Sequence, residues 1–322
     1  MKKTLSKIMR ANVTSVILAS IVIGFIFSVS SDGFLSNNNI INILKTSSVT
    51  IAIGLAQMVV LSVGQFNLAL GAIGCFTAMT YAWLMQVVGL DPIIAVLCAL
   101  VTGVILGAFQ GIMVTKTGLN PFIVTLALDS VIKGLATIVF QGQLLNKLPD
   151  AAKAINKTDV FGIPTLFVIS LVLVLVMEIY MNHTIFGRKL LATGESSKAA
   201  LVGGLQPQRQ IITAHVISGI LCACAAILTV SRLGAAQLSV GADWMLMSTA
   251  APVLGGTLLS GGKVSPIGTI FGAILLNMIS YGLVMMNVNL YWAQFFMGVI
   301  LVASFAVDYL RDRMAKSGKS HA

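Results

Sequence analysis

Apolar residues recur in runs long enough to cross a lipid bilayer, one after another, and most charges fall in the gaps between them. A helix needs about 20 mostly apolar residues to span the hydrocarbon core, and runs of that kind fill most of the 322 residues. With 57% of residues hydrophobic and 9% charged, the chain predicts an all-α polytopic protein embedded in lipid. It reads as one transmembrane domain over residues 1–322, with no room for a soluble domain beside it. Its function must lie in what passes between the helices or what docks on the loops.

The spans predicted from hydropathy cover 12–30, 46–63, 69–88, 92–114, 121–141, 163–181, 210–230, 246–260, 266–286 and 291–309. The basic start (Lys2, Lys3, Lys7, Arg10) followed by an apolar run mimics a signal peptide, but the run from Ala11 to Val29 is too long for one. It is read as a retained first helix. Ten spans put both termini on one side. With that side inside, the basic residues of the tails and of the loops holding Lys116, Arg188, Lys189, Lys198, Arg209 and Lys263 are cytoplasmic. Only Lys45, Lys147, Lys153, Lys157 and Arg232 fall outside, and Lys133 lies within a span. This asymmetry satisfies the positive-inside rule and predicts cytoplasmic ends. It also explains the net charge of +10 without a nucleic-acid partner.

Two loops exceed a turn: 142–162 outside and 182–209 inside. In segment 31–45, Asn37-Asn38-Asn39 predicts the cap of a small interfacial helix ending at Leu44. Spans two and eight are the weak ones: Gly64 follows the first, and Gly255, Gly256, Gly261 and Gly262 crowd the second. Short or glycine-broken spans are where transporters often place their pathway. Gly64…Gly71 echoes Gly261…Gly268, too briefly to establish a repeat.

Few residues offer chemistry. Cys75, Cys98, Cys222 and Cys224 lie within apolar runs and read as packing residues. The three histidines, His183, His215 and His321, are scattered, so no catalytic or metal site is expected. Charges within the bilayer are costly and default to functional candidates. Asp129 and Lys133 are four apart on one helical face and can pair, which suits either a positional brace or solute contact and gating. The strips Gly103/Gly107/Gly111 and Gly268/Gly272 predict close helix packing. Gln65, Asn67, Asn120, Thr125 and Gln141 are the neutral polar residues suited to line a pathway, since a polyol needs hydrogen-bond partners in place of water.

The inner loop holds Gly187-Arg188 … Ala192-Thr-Gly194-Glu195 … Ala199-Ala200 … Gly203-Gly204, with Ser196 placed to cap a short helix over Lys198 to Val202. A small alanine-faced helix between glycines suits insertion into a groove on a partner, and equally suits an ordinary connection. This run resembles the cytoplasmic coupling loop of the sugar permeases of ribose, xylose and arabinose ABC importers. Gly64-Gln-Phe-Asn67-Leu-Ala-Leu-Gly71, Asn120-Pro-Phe-Ile-Val-Thr125-Leu, Lys133-Gly134, Ser218-Gly219, and Leu254-Gly255-Gly256-Thr257 … Ser260-Gly261-Gly262 with Gly268-Thr269 … Gly272-Ala273 resemble further blocks of that family, in its order. The similarity runs from about residue 50 to 308. The chain departs at Asn67, Ser196 and Leu201, where the family carries an acidic residue, an asparagine and an arginine. The choice of sugar therefore stays open.

The resemblance implies a type II-importer-like permease of a bacterial inner membrane, not an enzyme, working with a second permease chain, identical or different. An extracytoplasmic sugar-binding protein would deliver the solute, and ABC ATPase subunits would bind ATP and magnesium. Gly256 to Val264 mimics a phosphate-binding loop, but its glycine-to-lysine spacing is one residue too long and Val264 replaces the magnesium-contacting hydroxyl. The family's coupling role maps onto Gly187, Arg188, Gly194, Glu195, Ala199, Ala200 and Gly204. The pathway candidates are Gln65, Asn67, Asn120, Thr125, Asp129 and Lys133. The competing readings are a stand-alone secondary transporter or channel and a permease for branched-chain amino acids.

Overall fold

The computed structural model describes residues 2–31, 33–160, 162–286, 288, 292, 295, 298, 299 and 302, with backbone only for 2–13 and 15. Helices dominate: α1 (Lys2–Ser30), α2 (Asn37–Ser62), α3 (Leu70–Gln86), α4 (Pro92–Thr117), α5 (Pro121–Phe140), α6 (Asp150–Lys157), α7 (Thr165–Glu178), α8 (Ile185–Glu195), α9 (Ser197–Val202), α10 (Pro207–Leu233), α11 (Trp244–Leu254) and α12 (Pro266–Met285). A two-residue antiparallel hairpin, β1 (Asp159–Val160) with β2 (Ile163–Pro164), joins α6 to α7. Among the described residues, six helical segments are long and apolar enough to cross a membrane: α2, α4, α5, Thr165–His183, α10 and α12. The predicted tenth span lies outside the described residues except for isolated positions.

The chain's punctuation sets the ends of these helices. Asp91 and Asn120 cap α4 and α5, their side chains accepting the N–H groups of Ile93 and Phe122 at 2.8 and 2.9 Å, and a proline opens each helix at its first position. Gly118 and Gly234 end α4 and α10 in the left-handed conformation that glycine adopts without steric cost.

α2 is the post around which the rest is built. Every residue from Ser47 to Ser62 is buried, and the helix packs against α7, α10, α11 and α12. The predicted interfacial helix ending at Leu44 is not a separate element. Ser36, not the asparagine run, caps α2, and the helix continues unbroken through Leu44. No glycine or proline interrupts Lys45-Thr46-Ser47-Ser48, and three of these four side chains find partners. Ser48 donates to the Leu44 carbonyl, Thr46 to Asn42, and the Lys45 ammonium reaches the Asn156 carbonyl at 2.8 Å.

The predicted eighth span is also corrected. α11 has 11 residues and rises about 16 Å, roughly half of the hydrocarbon thickness. Pro252 and the Gly255-Gly256 pair end it, and residues 255–265 form an irregular segment folded against α2 and α12. Irregular backbone shielded from water must satisfy its own polar groups. Here Thr257 N–H bonds Pro252, Leu258 N–H bonds the Lys263 carbonyl, and the Ser265 side chain caps α12 by accepting the Gly268 N–H.

The glycine strips pack as predicted. A Cβ on Gly103 would strike the Gly219 carbonyl, one on Gly107 the His215 carbonyl, and one on Gly272 the Ala251 carbonyl. α4 and α10 thus touch backbone to backbone.

Candidate functional site

The inner loop is mostly helical. After α7 one π-helical turn, Ile179–His183, delivers the chain to Thr184, whose hydroxyl caps α8 on the Gly187 N–H. A side chain at Gly187 would collide with the Tyr180 carbonyl, so this glycine lets α8 fold back against the turn before it. α8 was not legible in the sequence, because its glycines read as breaks. The predicted cap is present: the Ser196 hydroxyl accepts the Ala199 N–H at 3.2 Å and starts α9.

The two short helices form an elbow with one seated side and one open side. On the seated side, Gly194 lies on the end of α2. A Cβ there would strike the Ser62 carbonyl and stand 2.7 Å from the Gly262 nitrogen. Gly261, with φ at +89°, brings its Cα within reach of the Gly64 backbone and the Gly194 carbonyl. The Gly262 N–H donates to Ser62 at 3.1 Å, and Glu195 lies directly over Gly262. Three chain breaks, 62–64, 194–195 and 260–262, therefore meet at one point where only glycine permits the approach. Gly64 and Gly261, whose echo is too short to prove a repeat, are in direct contact. The segment resembling a phosphate loop spends its backbone amides on Ser62, Leu258 and Val253.

On the open side, Val202 is 91% and Leu201 63% exposed at the tip of α9, while Ala200 is buried beneath them. Arg188, Glu195, Ala199 and Gly204 are also exposed. Exposed aliphatic residues on a short helix beyond the spans form a surface without a partner among the described residues.

Of the pathway candidates, Asp129 and Lys133 pair at 2.7 Å, with 17% and 49% of their side chains exposed. Ser130 and Thr137 lie exposed on the same helix, so α5, long and apolar enough to cross a membrane, carries a polar stripe on an open face. Asn120 is exposed and occupied as the α5 cap. Thr125 is fully buried and back-bonds to Phe122.

Gln65 and Asn67 are drawn into a different structure. Asn67 exchanges two amide hydrogen bonds with Gln110 of α4, at 3.0 and 2.6 Å, and also accepts the Ala69 N–H. Both amides are buried. Gln65 lies 3.4 Å from the Nε2 of buried His215 on α10, while the His215 Nδ1 has no hydrogen-bond partner among the described residues. The turn after α2 is thereby tied to α4 and α10. Gln110 escaped the sequence reading, although an amide beside Gly111 on an otherwise apolar helix was the available signal.

Residues 39–305 match the family described as branched-chain amino acid transport system / permease component. The chain is 30% identical over 294 residues to the D-allose transport system permease protein AlsC of Escherichia coli (strain K12), covering 91% of this chain and 90% of that one. It is 29% identical over 293 residues to the ribose import permease protein RbsC of Bacillus subtilis (strain 168), with 90% and 91% covered. The fructose import permease protein FrcC of Rhizobium meliloti is 27% identical over 278 residues, with 83% and 76% covered. No solved structure matches the chain.

Proposed function

The chain belongs to the branched-chain amino acid transport system / permease component family, and from that premise we propose that it is the pathway-forming subunit of an ATP-driven importer for a small sugar. Relatives named for allose, ribose and fructose support a sugar over an amino acid. The observation that carries the mechanism is the elbow: a tip left exposed among the described residues, with a base seated on the ends of α2 and the α11–α12 connection.

In this reading the chain is one domain of ten spans with both ends in the cytoplasm of a bacterial inner membrane. The 182–209 segment faces the cytoplasm and 142–162 the outside. ATP and magnesium are held by partner ATPase subunits, which grip Leu201 and Val202 and move α8 and α9. Arg188, Gly194, Glu195, Ala199, Ala200 and Gly204 form the rest of that contact and its seat. The movement passes through Gly194 into the junction of Ser62, Gly64 and Gly261. A second permease chain, alike or different, completes the passage along α5. A half-exposed Lys133 facing lipid would be costly, whereas on a watery passage Asp129, Ser130, Lys133 and Thr137 offer exchangeable partners to sugar hydroxyls. An external binding protein supplies the affinity.

The test is reconstitution of the chain with its ATPase and binding protein in liposomes. Uptake of D-ribose, D-allose or D-fructose that requires ATP supports the reading. Uptake by the chain alone, or of leucine in place of every sugar, overturns it.

A further inference from the structure

At the end of the bundle away from α8 and α9, the structure holds a cup of about 170 Å³ that the α5 stripe does not reach. Its walls include Thr46 and Thr50 of α2, Arg232 at the end of α10, Gln237 and Asp243 of the following loop, and Trp244. The walls are fixed by bonds that run behind them. Arg232 donates to the Thr46 hydroxyl at 2.7 Å, Thr46 also meets the Tyr281 hydroxyl at 2.8 Å, and Asn277 donates to Thr50 at 3.0 Å. The Trp244 ring is held against Gly74, where no side chain would fit. One group is left over: the Arg232 Nε is buried and has no hydrogen-bond partner among the described residues.

The composition of the cup selects a ligand class. One guanidinium and one carboxylate cancel, so neither an anion nor a cation is favoured. A guanidinium that only donates, a carboxylate that only accepts, and the Gln237 amide and Ser239 hydroxyl, which do both, match a solute rich in hydroxyls. Trp244 adds an apolar wall, as ligand sites commonly do. The volume is below the roughly 300–1,000 Å³ of sites for drug-sized molecules, which suits one sugar unit. The geometry points to a second solute-holding site within each permease chain, in which this cup binds a single neutral monosaccharide apart from the passage along α5. The inference rests on the transport reading above, and the two are separable by experiment.

Ser239 lines the cup and is exposed, so a Ser239→Cys variant offers a reporter thiol. The variant, assembled with its ATPase in lipid nanodiscs, is labelled with a small charged methanethiosulfonate in the presence of D-ribose, D-allose or D-fructose. A site of millimolar affinity is about nine-tenths filled at ~10 mM sugar, so labelling slows about tenfold with the transported sugar. Adding Gln237→Ala, an exposed position, weakens the affinity about five- to tenfold, so labelling is slowed only about two- to threefold. Arg232→Lys gives a second reading if the first variant assembles poorly. If the same complex transports a sugar that leaves labelling unchanged, the cup is not a sugar site and the transport reading stands. If no sugar is transported, both fall.

Discussion

Gly262 donates its backbone N–H to the carbonyl of Ser62 at 3.1 Å, joining the connection before α12 to the last turn of α2 directly beneath Gly194. Two segments 200 residues apart in sequence thus share one hydrogen bond, and a third presses on both. Each of the following outcomes tests what that arrangement or its surroundings contribute.

Gly194→Val places methyl groups where the Ser62 carbonyl stands. Overpacking of this kind costs about 1–3 kcal/mol, met here by lifting α8 off the junction. The reconstituted complex is expected to keep hydrolysing ATP while sugar uptake falls at least about tenfold, the kinetic equivalent of ~1.4 kcal/mol. Parallel ATPase and uptake assays check this; normal coupling in the variant counts against transmission through Gly194.

Val202→Asp changes a side chain that is 91% exposed and touches no core. Surface substitutions of this kind shift stability by about 0.5 kcal/mol or less, so the melting temperature of the purified chain should stay put. Capture of the ATPase subunit should drop at least about tenfold, a loss of ~1.4 kcal/mol in binding. Unchanged co-purification would remove the α9 tip from the partner contact.

Asn67→Leu leaves the buried Gln110 amide without its partner, and Gln110→Leu does the reverse. Either single change should destabilise the chain by about 1–3 kcal/mol, and the double change by less than their sum. Thermal unfolding in detergent gives the cycle. Strict additivity would mean that the two amides act independently.

Lys133→Met strands Asp129 on the open face of α5, whereas Lys133→Arg preserves the ion pair. Uptake should fall about tenfold or more in the first variant and persist in the second. Adding Asp129→Asn to Lys133→Met should restore stability but not uptake, because the stripe stays without charge. Full uptake by the double variant would assign the pair to bracing alone.

How much of this was legible in the sequence follows from what each signal depends on. Spans over 92–114, 121–141, 210–230 and 266–286 were readable because hydropathy and proline or glycine punctuation agree there; α4 and α10 extend theirs by a few residues, and α5 and α12 match theirs to within one. The Asp129–Lys133 pair follows from helical spacing alone. α8 was hidden because Gly187 and Gly194 look like helix breakers, and only the tertiary contacts with Tyr180 and Ser62 explain why glycine is needed inside a helix. Gln65 and Asn67 read as polar and therefore as pathway residues. Their partners, His215 and Gln110, lie 150 and 43 positions away, and no local pattern announces such bonds. The cup depends on Arg232, which the charge count could assign only to a loop.

The half-length helix α11 restricts the ways in which this molecule can change shape. The stretch that follows it, residues 255–265, is irregular ribbon whose peptide groups would be costly against acyl chains, and the ends of α2 and α12 cover it. A movement that parted α2, α11 and α12 would uncover that ribbon, so the three are expected to stay together. An opening for cargo is then expected along the other flank, where most of α5 is exposed.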